Sequence, residues 1–186
     1  MYQVFETERL VLKVLDESYA ELVLDYFNRN REHLSKFDPL RSEKFYKVEN
    51  RRKALEQELI DINNGNQLRL WIFKKTDMDF KKIIGTICFS HIVKGFFLSC
   101  YVGYSIDNRE TNKGYITEVL KKGIDIMFNE YKLHRIEATV MPKNIPSIKV
   151  LEKLNFKNEG LSIKYQKING KWEDHIRMVL LNSTVE

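Results

Sequence analysis

The stretch NRETNKGYITEV, Asn108 to Val119, sets polar and charged residues and one glycine directly ahead of an apolar run. At the mouth of a helix such residues leave backbone N–H groups without intrahelical acceptors. Together with the positive end of the helix dipole, those groups make an anion site. Lys113 adds a full charge, and Gly114 removes the side chain where a phosphate must come near the backbone. A single glycine matches neither a P-loop nor a dinucleotide fingerprint. The competing explanation is that Asn112 and Gly114 only cap and turn into the helix, and both readings stand at this point. Two further groups have chemistry to offer. His91 ends GTICFSH with an imidazole, a group suited to proton transfer, and Ser147 begins the run SIKVLEKL with a hydroxyl that can donate. Their structural alternatives are a hydrogen-bonded histidine at a strand end and a serine satisfying a backbone N–H at a helix start.

The elements that must position these groups follow from periodicity. RLVLKVL alternates as a half-buried strand; Asp16 then caps a helix carrying Ala20, Leu24 and Phe27, and NRNREHLSKFDP reads as a turn, a short helical piece and a stop before Pro39. A helix over Val48 to Ile62 turns Leu55, Leu59 and Ile62 to one side. LRLWIF, IIGTICFSHI and SCYVGYSI form an antiparallel meander. Ile116, Val119, Leu120, Gly123, Ile124, Met127, Phe128 and Tyr131 recur at helical spacing, so a long helix with a continuous inner stripe follows the opening stretch. Gly123 on that stripe lets the helix lie close to the sheet. A strand HRIEATVM leads to a helix with Asn144 as N-cap, Pro146 in its first turn and Asn155 ending it in left-handed geometry. Asn169-Gly170 joins a final hairpin. The helical crossover between YVGYSI and RIEATV makes those two strands parallel neighbours in an otherwise antiparallel sheet. This predicts one domain over residues 1–186, of α/β (α+β) class, with a mixed, mostly antiparallel twisted sheet of about seven strands and helices on both faces.

Composition bounds the function. The charged fraction is 31% with both signs interspersed, and no window is long and apolar enough to cross a bilayer. Glu6, Glu8 and Arg9 interrupt the apolar core that a secretory signal needs, so the expected location is cytoplasmic. Cys88 and Cys100 fall within strand patterns without metal-ligand spacing, which predicts buried thiols, no disulfide and no metal site. A net charge of +5 and a pI near 9.0 favour an anionic partner. Basic residues interspersed with acids read as a solvated surface, so direct nucleic-acid binding is not expected.

Three separated segments, YVGYSIDNRETNKGYITEVLKKGIDIMF, LHRIEATVMPKNIPSIKVLEKLNFKNEG and INGKWEDHIRMVLL, resemble the GNAT acetyltransferases, in particular the RimJ/RimL-like ribosomal-protein N-acetyltransferases. The start, TERLVLKVLDESYAELVLDYFNRNREHLSKFDP, is similar to that group as well, so the likeness covers nearly the whole chain. It implies acetyl-CoA as co-substrate and transfer to a primary amine. The acceptor it favours is the N-terminal amine of a ribosomal or other protein; a polyamine or antibiotic-like small amine, and a non-catalytic CoA-binding module, are the alternatives. A homodimer is left open.

The family's cofactor motif has Arg or Gln, then Gly, then Gly or Ala; here these positions hold Thr111, Gly114 and Ile116, and Asn112 stands where glycine is frequent. The resemblance therefore assigns the pyrophosphate to the amides of Asn112, Lys113, Gly114, Tyr115, Ile116 and Thr117. Tyr104, Ser105 and Ile106 are expected to offer backbone partners to pantetheine, and Asn144 and Ser147 to face the pantetheine and the thioester sulfur. Transfer needs an amine freed of its proton, a donor to the oxyanion and an acid for the thiolate. The amides of Val102 to Tyr104 and the Ser147 hydroxyl fill the last two roles. Related enzymes often carry Glu where Tyr101 stands, and because a tyrosine is a poor base at neutral pH, His91 is the other candidate. His33, His134 and His175 are read as structural, and Tyr165, Trp172 and Asp174 as candidates to line the acceptor side.

Overall fold

The computed structural model describes residues 3–185. Eight strands form one sheet in the order β1-β2-β3-β4-β5-β6-β8-β7. They are β1 (Val4–Glu6), β2 (Leu10–Lys13), β3 (Leu68–Lys74), β4 (Gly85–Val93), β5 (Ser99–Ile106), β6 (Arg135–Val140), β7 (Lys157–Ile168) and β8 (Lys171–Leu181). The strand beyond the expected seven is β1, whose three residues are too few to carry a pattern. Every neighbouring pair is antiparallel except β5 with β6, as the helical crossover predicts.

Alternation along the strands divides the core. Leu68, Leu70 and Ile72 of β3 face one cluster with Ile87 and Phe89 of β4, whereas Trp71 and Phe73 face the other. On the second face lie α1 (Ala20–Arg29), the short α2 (Arg31–Ser35) and α3 (Val48–Asn63), with Val23, Tyr26, Phe27 and Leu55 packed against Trp71. On the first face lie α4 (Tyr115–Asn129) and α5 (Ile145–Lys153). The predicted stripe of α4 is the one that packs, with Val119, Leu120, Gly123 and Met127 buried and Ile116, Ile124, Phe128 and Tyr131 half-buried against them. Ile126 is also fully buried, so the stripe is broader than the spacing alone indicated. A Cβ on Gly123 would come within 2.7 Å of the Phe89 ring, so the glycine is what lets α4 lie on β4.

Local signals resolve as read. The Asp16 carboxylate accepts from the Ser18 N–H ahead of α1, and the Asn144 side chain accepts from the Ser147 N–H. Asn155 ends α5 at φ 66°, and Asn169 and Gly170 turn the last hairpin at φ 46° and 82°. Both cysteines are free; Cys100 is buried as expected, whereas Cys88 is only half-buried. No described helix is long and apolar enough to cross a membrane.

Candidate active site

β5 pairs with β6 only from Ser99 to Tyr101, and past that point the two strands part. One edge of Val102–Ile106 therefore has no strand beside it. A cleft of about 610 Å³ opens there, walled by Tyr104, Ser105 and Ile106 on one side and by Asn144, Pro146 and Ser147 on the other. Thr111, Asn112, Gly114, Tyr115, Ile116 and Thr117 close one end of it. The residues assigned to the donor thus converge on one space, with one exception.

The exception is the Lys113 side chain, which is not part of the cleft wall. Its ammonium bonds Glu110 Oε2 at 2.8 Å, while Lys74 bonds Glu110 Oε1 at 2.6 Å. Burial alone would raise the Glu110 carboxyl, but Lys113 and Lys74 outweigh it and hold it below its ordinary value. The Lys113 ammonium is therefore held on Glu110 rather than in the cleft, and what Lys113 can offer there is its backbone amide. Arg9 braces the same loop: it donates to the Lys113 carbonyl at 3.0 Å and to Glu118 Oε2 at 2.7 Å.

The loop itself is shaped for backbone donation. Gly114 is the N-cap of α4 at φ 76°, and no side chain caps that helix. Asn112 is also left-handed, at φ 62°. Among the described residues no acceptor serves the N–H groups from 112 to 117. The helix start is open, with Asn112 to Gly114 exposed, and a run of accessible amides at the positive end of a dipole fits an anion.

At the other end two hydroxyls meet. Tyr104 Oη and Ser147 Oγ lie 2.8 Å apart across the cleft. Burial pushes the Tyr104 phenol up to about 12, with the Ser147 contact pulling only weakly the other way, so Tyr104 keeps its proton at neutral pH. Sequence spacing placed Tyr104 on the wall through its backbone and gave no sign of this pairing, because β5 and α5 are far apart in the chain. Ser105 Oγ, on the opposite face of β5, contacts Tyr26 Oη at 2.9 Å.

His91 and Tyr101 are together, but not in the cleft wall. His91 sits at φ 51° in a bulge of β4 between Ser90 and Val93, with its ring edge-on to Tyr101 at 6.0 Å. Burial and the nearby Glu137 carboxylate push the Tyr101 phenol up, which keeps it from acting as a base. Tyr101 pairs with Glu137 at the last rung before the strands part. In the last hairpin Asp174 accepts the Lys164 N–H at 2.8 Å, the Tyr165 ring lies tilted against His175 at 5.6 Å, and Trp172 is exposed. His33, read as structural, instead lines the cleft with Phe37 and Asp38, brought there because α1 ends beside the loop: Asn30 Oδ1 accepts the Asn108 N–H at 3.0 Å.

A cleft between parting strands, with free amides at one end and a hydroxyl pair at the other, holds the kinds of group that a transfer reaction can use. The chain belongs to the GNAT acetyltransferase family, whose acetyltransferase (GNAT) domain model matches residues 9–157, and it is an acyltransferase of RimJ/RimL-like type. It is 35% identical to the probable N-acetyltransferase YjcK of Bacillus subtilis (strain 168) over 173 residues, 93% of this chain and 94% of that protein. Against the [ribosomal protein uS5]-alanine N-acetyltransferase of Escherichia coli (strain K12) it is 35% identical over 175 residues, 94% of this chain and 88% of that one. The crystal structure of the ribosomal-protein-S5-alanine acetyltransferase from Vibrio fischeri superposes with a TM-score of 0.92 at 35% identity, covering 99% of both chains.

Proposed function

We propose that this chain is a single N-acetyltransferase domain that moves the acetyl group of acetyl-CoA to the N-terminal amine of a protein, with a ribosomal protein as the acceptor and the cytoplasm as its place of action. The observation that carries the donor is the uncapped start of α4, with unshared N–H groups from 112 to 117 at the end of a cleft of about 610 Å³. The acceptor is supported by similarity to relatives whose names specify a ribosomal-protein alanine.

In this reading the loop amides hold the pyrophosphate and the free edge of β5 aligns the pantetheine. An α-amine with a pKa of about 8 must shed a proton before it attacks the thioester carbon. His91 accepts that proton through water, beside a Tyr101 phenol that stays protonated. A backbone N–H between Val102 and Tyr104 donates to the oxyanion as the carbonyl becomes tetrahedral. Collapse breaks the carbon–sulfur bond, and Ser147 passes a proton to the departing thiolate while Tyr104 at 2.8 Å refills it; solvent then reprotonates Tyr104 and takes the amine's proton from His91, which closes the proton count.

Thermal unfolding with millimolar acetyl-CoA tests the donor: a ligand that binds only the folded chain raises its melting temperature, and no shift would end the reading. Release of free thiol with a panel of N-terminal peptides, polyamines and aminoglycosides tests the acceptor. Thiol release with peptides alone supports a protein acceptor. A melting shift without thiol release from any amine would make the chain a CoA-binding module.

A further inference from the structure

The charges around the cleft are unevenly distributed. Around the loop Lys113 and Lys74 bind Glu110 and Arg9 binds Glu118, and neither these three nor the exposed Arg109 lines the cleft. Free amides donate hydrogen bonds but bring no net charge to a ligand with several phosphate charges. The cationic ammonium groups that do line the cleft come from the other wall. Lys149 and Lys153 lie on α5, on the same face as Pro146 and Val150, which also line it. Both are exposed, and among the described residues neither has a hydrogen-bond or ion-pair partner. The two carboxylates in the wall do not compete for them, since Glu110 has its two lysines and Asp38 is bonded to Arg41 at 2.9 Å.

Position along α5 matters as much as charge. Ser147 stands at the reacting end, and Lys153 lies six residues on, about 9 Å further along the helix axis. An extended ligand with its thioester at Ser147 therefore meets two unpaired ammonium groups one turn apart as it runs away from the reacting atoms. We infer that Lys149 and Lys153 bind the phosphates of the donor, supplying from α5 the positive charge that no cation of the loop brings into the cleft. This rests on acetyl-CoA being the donor. It makes the phosphate site two-sided, with hydrogen bonds from the loop and charge from the facing helix.

The test is titration calorimetry of acetyl-CoA against the wild-type chain, the Lys149→Gln/Lys153→Gln double variant and the corresponding double Arg variant, at low and high salt. Circular dichroism checks that the variants fold. At low salt the Gln variant should bind roughly tenfold more weakly, two exposed charge pairs each contributing a modest share. Its affinity should also depend less on salt than that of the wild type, and the Arg variant should bind like the wild type. Unchanged affinity in the Gln variant, or a loss with an undiminished salt dependence, would overturn the inference. A wild-type chain that takes up no acetyl-CoA would instead fail the donor reading itself, and one that binds it without transferring acetyl would fail only the acceptor reading.

Discussion

The two ends of the cleft are built from different material. At the α4 end the groups that face a ligand are backbone amides, held by Gly114 at φ 76°, by the Arg9 brace and by the Glu110 carboxylate beneath the loop. At the α5 end they are side chains, Tyr104 Oη and Ser147 Oγ at 2.8 Å. Function carried by the backbone depends on conformation and tolerates changes of residue type wherever φ and ψ permit them. This accounts physically for a loop that keeps only the central glycine of its motif, with Thr111, Asn112 and Ile116 around it. Function carried by a hydroxyl has no such tolerance.

Substitutions break or sharpen that contrast. The largest effect is expected for Ser147→Ala, which should lower kcat by about 100-fold while leaving the acetyl-CoA Kd unchanged in calorimetry; full activity would remove Ser147 as the acid. Adding Tyr104→Phe to that variant should cost little more, because the two hydroxyls act as a unit. Gly114→Glu should weaken acetyl-CoA binding about 10- to 30-fold, through the cost of about 1–2 kcal/mol for a side chain in left-handed geometry and the repulsion of phosphate. An unchanged Kd would sink the phosphate assignment.

Glu110→Gln probes the support of the loop rather than its face. Glu110 titrates below its ordinary value in the folded chain, so its pairing with Lys74 and Lys113 stabilises the fold fully above the ordinary glutamate range and is lost as pH falls through the lowered value. The variant should be less stable than wild type by about 1–3 kcal/mol at neutral pH, and the gap seen in thermal melts should close under acid. The smallest effects belong to Thr111→Gln and Ile116→Ala, which should move the donor Kd by no more than about twofold, as side chains away from a backbone contact do. A large change from either would mean that residue type matters at the loop after all.

The fold was legible where local chemistry is decisive. The stripe of α4, the Asn144 cap, the left-handed Asn155 and the Asn169-Gly170 turn are all written in adjacent residues, and the helical crossover required β5 and β6 to run parallel. The donor loop was legible for the same reason, being one continuous segment. What escaped was proximity between distant elements. Spacing on β5 says which face Tyr104 takes, not that Ser147 waits across the gap. Nothing adjacent to Lys113 reveals that Lys74 shares its carboxylate, although Glu110 three residues ahead was a signal for that pairing. His33 and Asp38 reach the cleft only because α1 ends against the loop. Lys149 and Lys153, one helical turn apart and sharing a face with Pro146 and Val150, were readable as a charged stripe, but not as one turned toward the donor.

The central claim is that this cleft delivers acetyl to a protein's N-terminal amine. Mass-spectrometric peptide mapping of ribosomal proteins incubated with acetyl-CoA and the chain tests it most directly. One added acetyl group is expected, on the N-terminal residue of a ribosomal protein, accumulating about 100-fold more slowly when Ser147→Ala replaces the wild type. Acetyl found only on internal lysines, or on no protein while a small amine is modified, would contradict it.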